Sequence, residues 1–266
     1  MKQKEKVKEM GFGLAGKTVI VTGGASNIGH GIVMAFAKEG SNVVIADIDK
    51  AQAQKTAGLA RKLGVRALVV TADVTKPKQC EAIVKKALDK FGQIDVLVNN
   101  AGGTRGHLAY TREISRDIAL MVMDLNFWSQ FDCTRAVVEH MISRKSGRIV
   151  NISSGAGLGG AHSRYPIYAA AKAAVISLTR SLSEELLPFG INVNSVAPGL
   201  ILPDQRNEQV GEMSAHYKPS PEHAKLMDSG LAGRPADIAN MVVFLASDAA
   251  GYISGQTFYV YNTSNM

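Results

Sequence analysis

Cysteine is nearly absent from this 266-residue chain: there are two, Cys80 and Cys133, with no CxxC pair and no histidine at ligand spacing. Neither a disulfide framework nor a zinc site is indicated, no metal is expected, and a reducing, cytoplasmic setting fits best. Aromatic residues are scarce at 6%, with one tryptophan, too few to interleave with the scattered lysines and arginines as a base-stacking surface requires. The net charge of +7 therefore reads as a solvated basic surface, with no nucleic-acid partner. Long apolar runs are missing too. The best stretch, MVVFLASDAAGYI at 241–253, is broken by Ser247, Asp248 and Gly251, short of the roughly 18 residues a membrane span needs. The lysine-dotted start, MKQKEKVKEMGFGLAGK, has no apolar core of a signal peptide behind it and is expected to form a basic extension over residues 1–13. There is no internal repeat.

What is present is a composition 46% hydrophobic and 20% charged, able to bury a sizeable core. One domain is expected over residues 14–266, because α/β chains of this size commonly stay in one piece. Short β-branched runs alternate with helix-length amphipathic stretches: TVIVTG (18–23), NVVIAD (42–47), RALVVTAD (66–73), IDVLVNNAG (94–102), GRIVNISS (147–154) and GINVNSVAPG (190–199). Continuous apolar strands, each followed by a helical segment, predict a doubly wound parallel sheet of the Rossmann type, α/β in class and three layers deep. The first helix is expected over 28–39, and the second should end near Gly64, a residue suited to a left-handed cap. Four prolines, Pro203, Pro219, Pro221 and Pro235, break the rhythm in 200–235, which is too long for an ordinary connection and is the candidate substrate lid.

In TVIVTGGASNIGHG, Gly23, Gly24 and Gly29 fall where a strand turns into a helix. There a backbone without side chains can approach a pyrophosphate, and the helix N-terminus supplies N–H donors and partial positive charge. The second strand ends at Asp47, close to the spacing at which a carboxylate accepts the adenosine ribose hydroxyls and repels a 2′-phosphate. Asp47 argues for NAD over NADP, although Lys50 nearby could still serve an NADP phosphate. Asp73 and Val74 end the third strand, and NNAGG, with Asn99 and the pair Gly102 and Gly103, ends the fourth. That edge of an open parallel sheet is where ligands sit.

YAAAK places Tyr168 and Lys172 one helical turn apart on the same face. A free phenol with a pKa near 10 is a poor base at neutral pH, and an adjacent ammonium is expected to lower it. Alone, this pair is frequent in proteins. Its company is not: TGGASNIG, NNAG, Asn126 in DLNFWSQF, Ser154 closing NISS, YAAAK, and Pro198-Gly199 after the sixth strand occur in one order from about Leu14 to Val260. Together they resemble the short-chain dehydrogenase/reductase family.

The resemblance implies Tyr168 as proton donor or acceptor and Ser154 as the hydrogen-bond partner of the substrate oxygen. It implies that Lys172 tunes Tyr168 and binds the nicotinamide ribose, and that Asn126 holds a water linking Lys172 to solvent. It also implies that Gly23, Asn27, Ile28 and Gly29 surround the pyrophosphate, Asp73 and Val74 the adenine, and Asn99 the adenosine ribose. Ala101 and Gly102 of the NNAG turn would line the cofactor, as would Pro198, Gly199 and Ile201 at the nicotinamide end. The activity implied is exchange of hydride between NAD and the carbon of a secondary alcohol or ketone, a hydroxyacyl group included, in a homo-oligomer, tetramer or dimer. A non-catalytic dinucleotide-binding subunit is the alternative, against which the intact set of Asn126, Ser154, Tyr168 and Lys172 stands.

The chain departs from the family pattern at three places. Asn27 replaces the usual middle glycine of the first turn; asparagine is the non-glycine residue that best tolerates left-handed backbone. Ser154 lies one position further from Tyr168 than is usual, with Ser153 beside it as the rival. The terminus reads GQTFYVYNTSNM where the family commonly has a glycine pair after a similar strand. Thr104 to Tyr110, the GAGLGGAHSRYP loop and 200–235 should frame the substrate. Arg105, Arg164 and Arg206 could pair with a carboxylate, phosphate or acyl-CoA, or be solvated loop charges; His107 and His162 read as loop or packing residues.

Overall fold

The computed structural model describes residues 12–104, 106, 109–159, 164–202, 225 and 232–261. The basic extension before Phe12, most of the expected lid, Arg105, His107, His162 and Arg206 lie outside the described residues. The expected α/β rhythm is present: β1 (Thr18–Thr22), α1 (Asn27–Lys38), β2 (Asn42–Asp47), α2 (Lys50–Lys62), β3 (Ala67–Thr71), α3 (Pro77–Phe91) and β4 (Val96–Asn99) come first. There follow α4 (Arg116–Met123), α5 (Ser129–Arg144), β5 (Gly147–Ile152), α6 (Pro166–Leu186), β6 (Ile191–Pro198), α7 (Pro235–Ala246) and β7 (Thr257–Val260).

The seven strands lie in the order β3-β2-β1-β4-β5-β6-β7, all parallel. Successive side chains on a strand leave opposite faces, so the sheet divides its apolar residues between two cores. Val19, Val21, Val43 and Ile45 meet Ile32, Val33 and Phe36 of α1, Ala53 and Ala57 of α2 and Ile238 and Val242 of α7. Ile20, Val44, Leu97 and Ile149 face Ile83 of α3, Val137 and Met141 of α5 and Leu186 of α6 on the other side. Both faces are covered, which is why the strands read as unbroken apolar runs.

Local chemistry sets the ends. Asp49 caps α2 by accepting from the Gln52 amide at 3.0 Å, and Gly64 leaves that helix with φ +87°, as expected of a left-handed terminator. α3 stops at Gly92, φ +78°. The β3 strand ends at Thr71, earlier than the sequence pattern suggests, because Asp73 closes a turn by accepting from both the amide and the hydroxyl of Thr75 at 3.0 and 2.8 Å. The chain order reverses between β1 and β4, opening a crevice at the C-terminal edge of the sheet. At the far side of that crevice, Leu200–Leu202 and Gly233 are joined by two amide-carbonyl bonds of 3.0 Å, so the roots of the 200–235 segment are tied together.

Although distant in sequence, Cys80 on α3 and Cys133 on α5 meet as buried free thiols with sulfurs 3.3 Å apart. Cys133 donates to Cys80, which donates to the Val74 carbonyl at 3.3 Å.

Candidate active site

A cavity of about 640 Å³ opens at the crevice. Its first wall is the turn from β1 into α1. Asn27 has φ +48°, so the residue that replaces a glycine does adopt left-handed backbone. A Cβ on Gly29 would collide with the Gly23 carbonyl, and one on Gly23 would stand 2.9 Å from the Ala101 Cα. Glycine is therefore required at both positions for the turn to close against the end of β4. Gly23, Asn27, Ile28 and Gly29 all line the cavity.

Asp47 stands at the tip of β2 on the same rim. Its carboxylate accepts from the Ala25 amide at 2.9 Å and the Asp49 amide at 3.0 Å, which orients it toward the glycine turn. Ala101, Gly102 and Gly103 of the β4 turn form the floor. A Cβ on Gly102 would lie 2.8 Å from Asn126 Oδ1 and 3.0 Å from Lys172 Nζ, so this turn too must lack side chains.

The opposite wall carries Ser154, Tyr168 and Lys172, with Pro198, Gly199 and Ile201 beside them. Ser154 and Tyr168 line the cavity together, near enough that the serine hydroxyl favours the tyrosine phenolate. The Ser153 hydroxyl instead donates to the Lys172 carbonyl at 2.9 Å, holding the start of α6 against β5. Of the two serines, Ser153 is thus committed to the helix backbone and Ser154 is the one that bears on Tyr168. Lys172 is 2% exposed; its ammonium donates to the Ile152 carbonyl at 2.9 Å and stands 5.7 Å from the centre of the Tyr168 ring. Tyr165 packs edge-on against Tyr168 with ring centres 5.8 Å apart.

Burial dominates the electrostatics of this wall. Burial, not Lys172, is the largest influence on Tyr168: desolvation pushes its phenol up, the contact with Ser154 offsets part of this, and Tyr165 adds to the rise. Burial brings Lys172 down to about 7. In a dry pocket the charged forms of both groups lose hydration.

Four residues assigned by resemblance do not line the cavity. Asn99 is fully buried, with its amide nitrogen within reach of the Gln130 carbonyl, Thr134 Oγ1 and Asn151 Oδ1 at 3.3, 3.0 and 2.9 Å. It knits β4 to α5 and β5, and cannot offer its side chain to a ribose. Its neighbour Asn100 faces the cavity and donates to the Thr22 and Gly23 carbonyls at 2.9 and 3.0 Å, pinning the glycine turn. The doubled asparagine in NNAG was the only sequence signal for it. Asp73 and Val74 are also off the cavity: the carboxylate is engaged by Thr75, and Val74 is buried in the core beneath α3. Asn126 is fully buried within a π-helical turn, Asp124–Trp128. Its Oδ1 accepts from the Gly103 amide at 2.8 Å, and its Nδ2 donates to the Gly103 and Val122 carbonyls, both at 2.9 Å. The side-chain amide braces the cavity floor.

Among the described residues no cluster of side chains could hold a metal ion, and no helix is long and apolar enough to cross a membrane.

The family model for enoyl-(acyl carrier protein) reductase matches residues 23–262. A (2S)-[(R)-hydroxy(phenyl)methyl]succinyl-CoA dehydrogenase subunit of Thauera aromatica is 40% identical over 253 residues, covering 94% of this chain and 96% of that protein. A 3-oxoacyl-[acyl-carrier-protein] reductase of Synechocystis sp. is 38% identical over 250 residues, 93% of this chain and 96% of its own length. Among solved structures, a 7α-hydroxysteroid dehydrogenase complexed with NADH and 7-oxo glycochenodeoxycholic acid superimposes with a TM-score of 0.84 at 30% identity, covering 97% of this chain and 98% of that one.

Proposed function

The chain belongs to the short-chain dehydrogenase/reductase family of oxidoreductases, and from that premise we propose that it interconverts a secondary alcohol, a hydroxyacyl group included, and the corresponding ketone, with NAD as preferred cofactor and Tyr168 as acid/base. The observation that carries this reading is the convergence of Ser154, Tyr168 and Lys172 on one wall of the cavity whose rim carries Asp47. The glycine turn, in which a Cβ at Gly29 would strike the Gly23 carbonyl, fits the close approach of a pyrophosphate.

Bound nicotinamide would supply or take the hydride. The chain's part is positional and protonic. Gly23, Asn27, Ile28 and Gly29 would hold the pyrophosphate, and Asp47 would accept from the adenosine ribose and repel a 2′-phosphate. Pro198, Gly199 and Ile201 would flank the nicotinamide, with Ala101 and Gly102 beneath the cofactor. Lys172 would hold the nicotinamide ribose. Ser154 would donate to the substrate oxygen and polarise it while Tyr168 gives that oxygen a proton in reduction or removes one in oxidation. Two hydroxyls converging on one oxygen favour chemistry at C=O and C–OH over reduction of a C=C bond. Burial keeps the Tyr168 phenol protonated at neutral pH, so ketone reduction should exceed alcohol oxidation at pH 7, and the oxidation rate should climb from pH 7 to 10 as phenolate forms; a flat oxidation profile would remove Tyr168 from the base role.

Acyl thioesters are among the candidate substrates, supported by the acyl-CoA and acyl-carrier names of the two relatives and by Arg164, whose guanidinium lies over the Tyr110 ring at 5.8 Å. A homo-oligomer is proposed on family grounds and is checked by light scattering. The central test titrates purified protein with NADH and NADPH by fluorescence, then assays ketones, alcohols and acyl-CoA thioesters with the preferred cofactor at the nicotinamide absorbance. Tighter NADH binding with turnover is expected. Binding without turnover of any substrate would favour a non-catalytic subunit, and no binding of either cofactor would overturn the reading.

A further inference from the structure

The two loops that bring Ser154 and Pro198-Gly199 to the cavity come from neighbouring strands, β5 and β6, and something must hold them at a fixed separation. The pairing of β6 with β7 places two tyrosines against both. Tyr259 and Tyr261, two residues apart at the end of β7, leave the strand on the same side and stack with ring centres 5.1 Å apart and planes only 4° from parallel. A Cβ on Gly155, the residue after Ser154, would stand 2.8 Å from both Cε2 and the hydroxyl oxygen of Tyr259. A Cβ on Gly199 would run into the Tyr261 ring. Each ring therefore occupies the space a side chain would fill, one behind the serine turn and the other behind the nicotinamide loop. The Gly199 amide donates to the Val260 carbonyl at 3.0 Å, between the two tyrosines, and locks the loop to the same strand end.

We propose that the Tyr259–Tyr261 stack is a positioning pair for the reaction: it braces the Ser154 turn and the Pro198-Gly199 loop against each other and so sets the approach of the substrate oxygen to the nicotinamide. The inference rests on the cavity taking a nicotinamide cofactor. Neither tyrosine lines the cavity itself. Replacing Tyr261 by alanine leaves a gap behind Gly199 that lets the nicotinamide end move while the glycine turn and Asp47, on the far side of the crevice, are unchanged. Tyr261→Phe keeps the ring and the stack.

The test compares the intact protein with Tyr261→Ala, Tyr261→Phe, Gly199→Ala and the double variant Gly199→Ala/Tyr261→Ala. The dissociation constants for NADH and for ADP-ribose, which lacks the nicotinamide, are measured beside kcat, KM and the deuterium isotope effect with 4-deuterated NADH. Tyr261→Ala should weaken NADH binding by about fivefold while leaving ADP-ribose binding unaltered, lower kcat about 10- to 100-fold, as sub-ångström to ångström misplacement does, and raise the isotope effect as hydride transfer becomes slower. Tyr261→Phe should match the parent. Gly199→Ala should be impaired, and the double variant should recover part of that loss because the colliding ring is gone. Equal weakening of NADH and ADP-ribose would mean a general loss of structure and overturn the proposal, as would unaltered NADH binding and isotope effect in Tyr261→Ala. If the parent protein binds neither NADH nor NADPH, the functional reading falls and takes this inference with it, whereas a normal parent with indifferent variants sinks the inference alone.

Discussion

The two halves of the crevice are built by different means. On the β1–α1–β2 side the strands are apolar and fully buried, with Val19, Ile20, Val21, Val43, Val44 and Ile45 all at 0% exposure, and geometry is imposed by absent side chains at Gly23 and Gly29. On the β4–β5–α6 side polar groups are buried in number: Asn99, Asn126, Asn151 and Thr179 are each at 0% exposure. A chain of bonds runs from Asn99 through Asn151 Oδ1, and from Asn151 Nδ2 to Thr179 Oγ1, both at 2.9 Å. The Ile152 carbonyl collects donors from Gln130 at 3.0 Å and Lys172 at 2.9 Å. Burying an amide without partners costs several kcal/mol, so these paired donors and acceptors hold one another in place. The apolar half fixes backbone for a ligand that needs close approach; the polar half fixes the heading of a lysine and a tyrosine.

The comparison breaks most visibly at Tyr168. Tyr168→Phe removes a proton from the polar half and touches nothing in the apolar half, so turnover should fall about 100- to 10,000-fold while the NADH dissociation constant changes less than about twofold. Turnover near that of the parent would put the acid/base elsewhere.

The apolar half contains one titratable group that should report its dryness. His30 on α1 lies against Thr56, whose hydroxyl donates to the Ala25 carbonyl at 2.9 Å; the hydroxyl's one proton is thereby engaged, so His30 Nδ1 is the donor across their 3.1 Å contact. Burial lowers this histidine to about 4 from 6.5. With the folded value below the unfolded one, the unfolded chain binds the proton first, so stability is full above pH 6.5 and is lost as pH falls toward 4, by about 3 kcal/mol from this group. Thermal melts of the parent and of His30→Gln between pH 7 and 4 check the sign: the variant should lose less over that range, and equal losses would mean that His30 is not responsible.

In the polar half, Asn151→Ala removes one acceptor of the Asn99 amide and the donor to Thr179, with an expected loss of about 2 kcal/mol in urea unfolding; a loss under about 0.5 kcal/mol would mean the network is slack. The smallest effect belongs to Asp47→Ala, which should narrow the preference for NADH over NADPH by about tenfold, equivalent to about 1.4 kcal/mol. A preference left intact would move cofactor selection to another group on that rim.

Much of the apolar half was legible in sequence, because its determinants are local. NVVIAD names β2 to the residue, and Gly23 and Asn27 signal left-handed backbone by type alone. Tyr168 and Lys172 were legible for the same reason: one helical turn relates them whatever surrounds α6. The polar half was harder to read. Asn99 and Asn100 are adjacent and identical in type, and only the pleat decides which faces the crevice and which faces α5. Burial, which raises Tyr168 and lowers Lys172, is a property of the assembled site, and so is the meeting of Cys80 with Cys133 across α3 and α5.

By itself the sequence determined the family, the parallel α/β architecture, the glycine turn and the tyrosine–lysine pair, since periodicity, residue type and spacing act over a few residues. Only the tertiary structure decided which asparagine is structural, which serine is tied to the helix backbone, and that Tyr259 and Tyr261 back the two loops of the site. Those outcomes depend on strand order and on the loss of water from a closed crevice, and both come from segments distant along the chain.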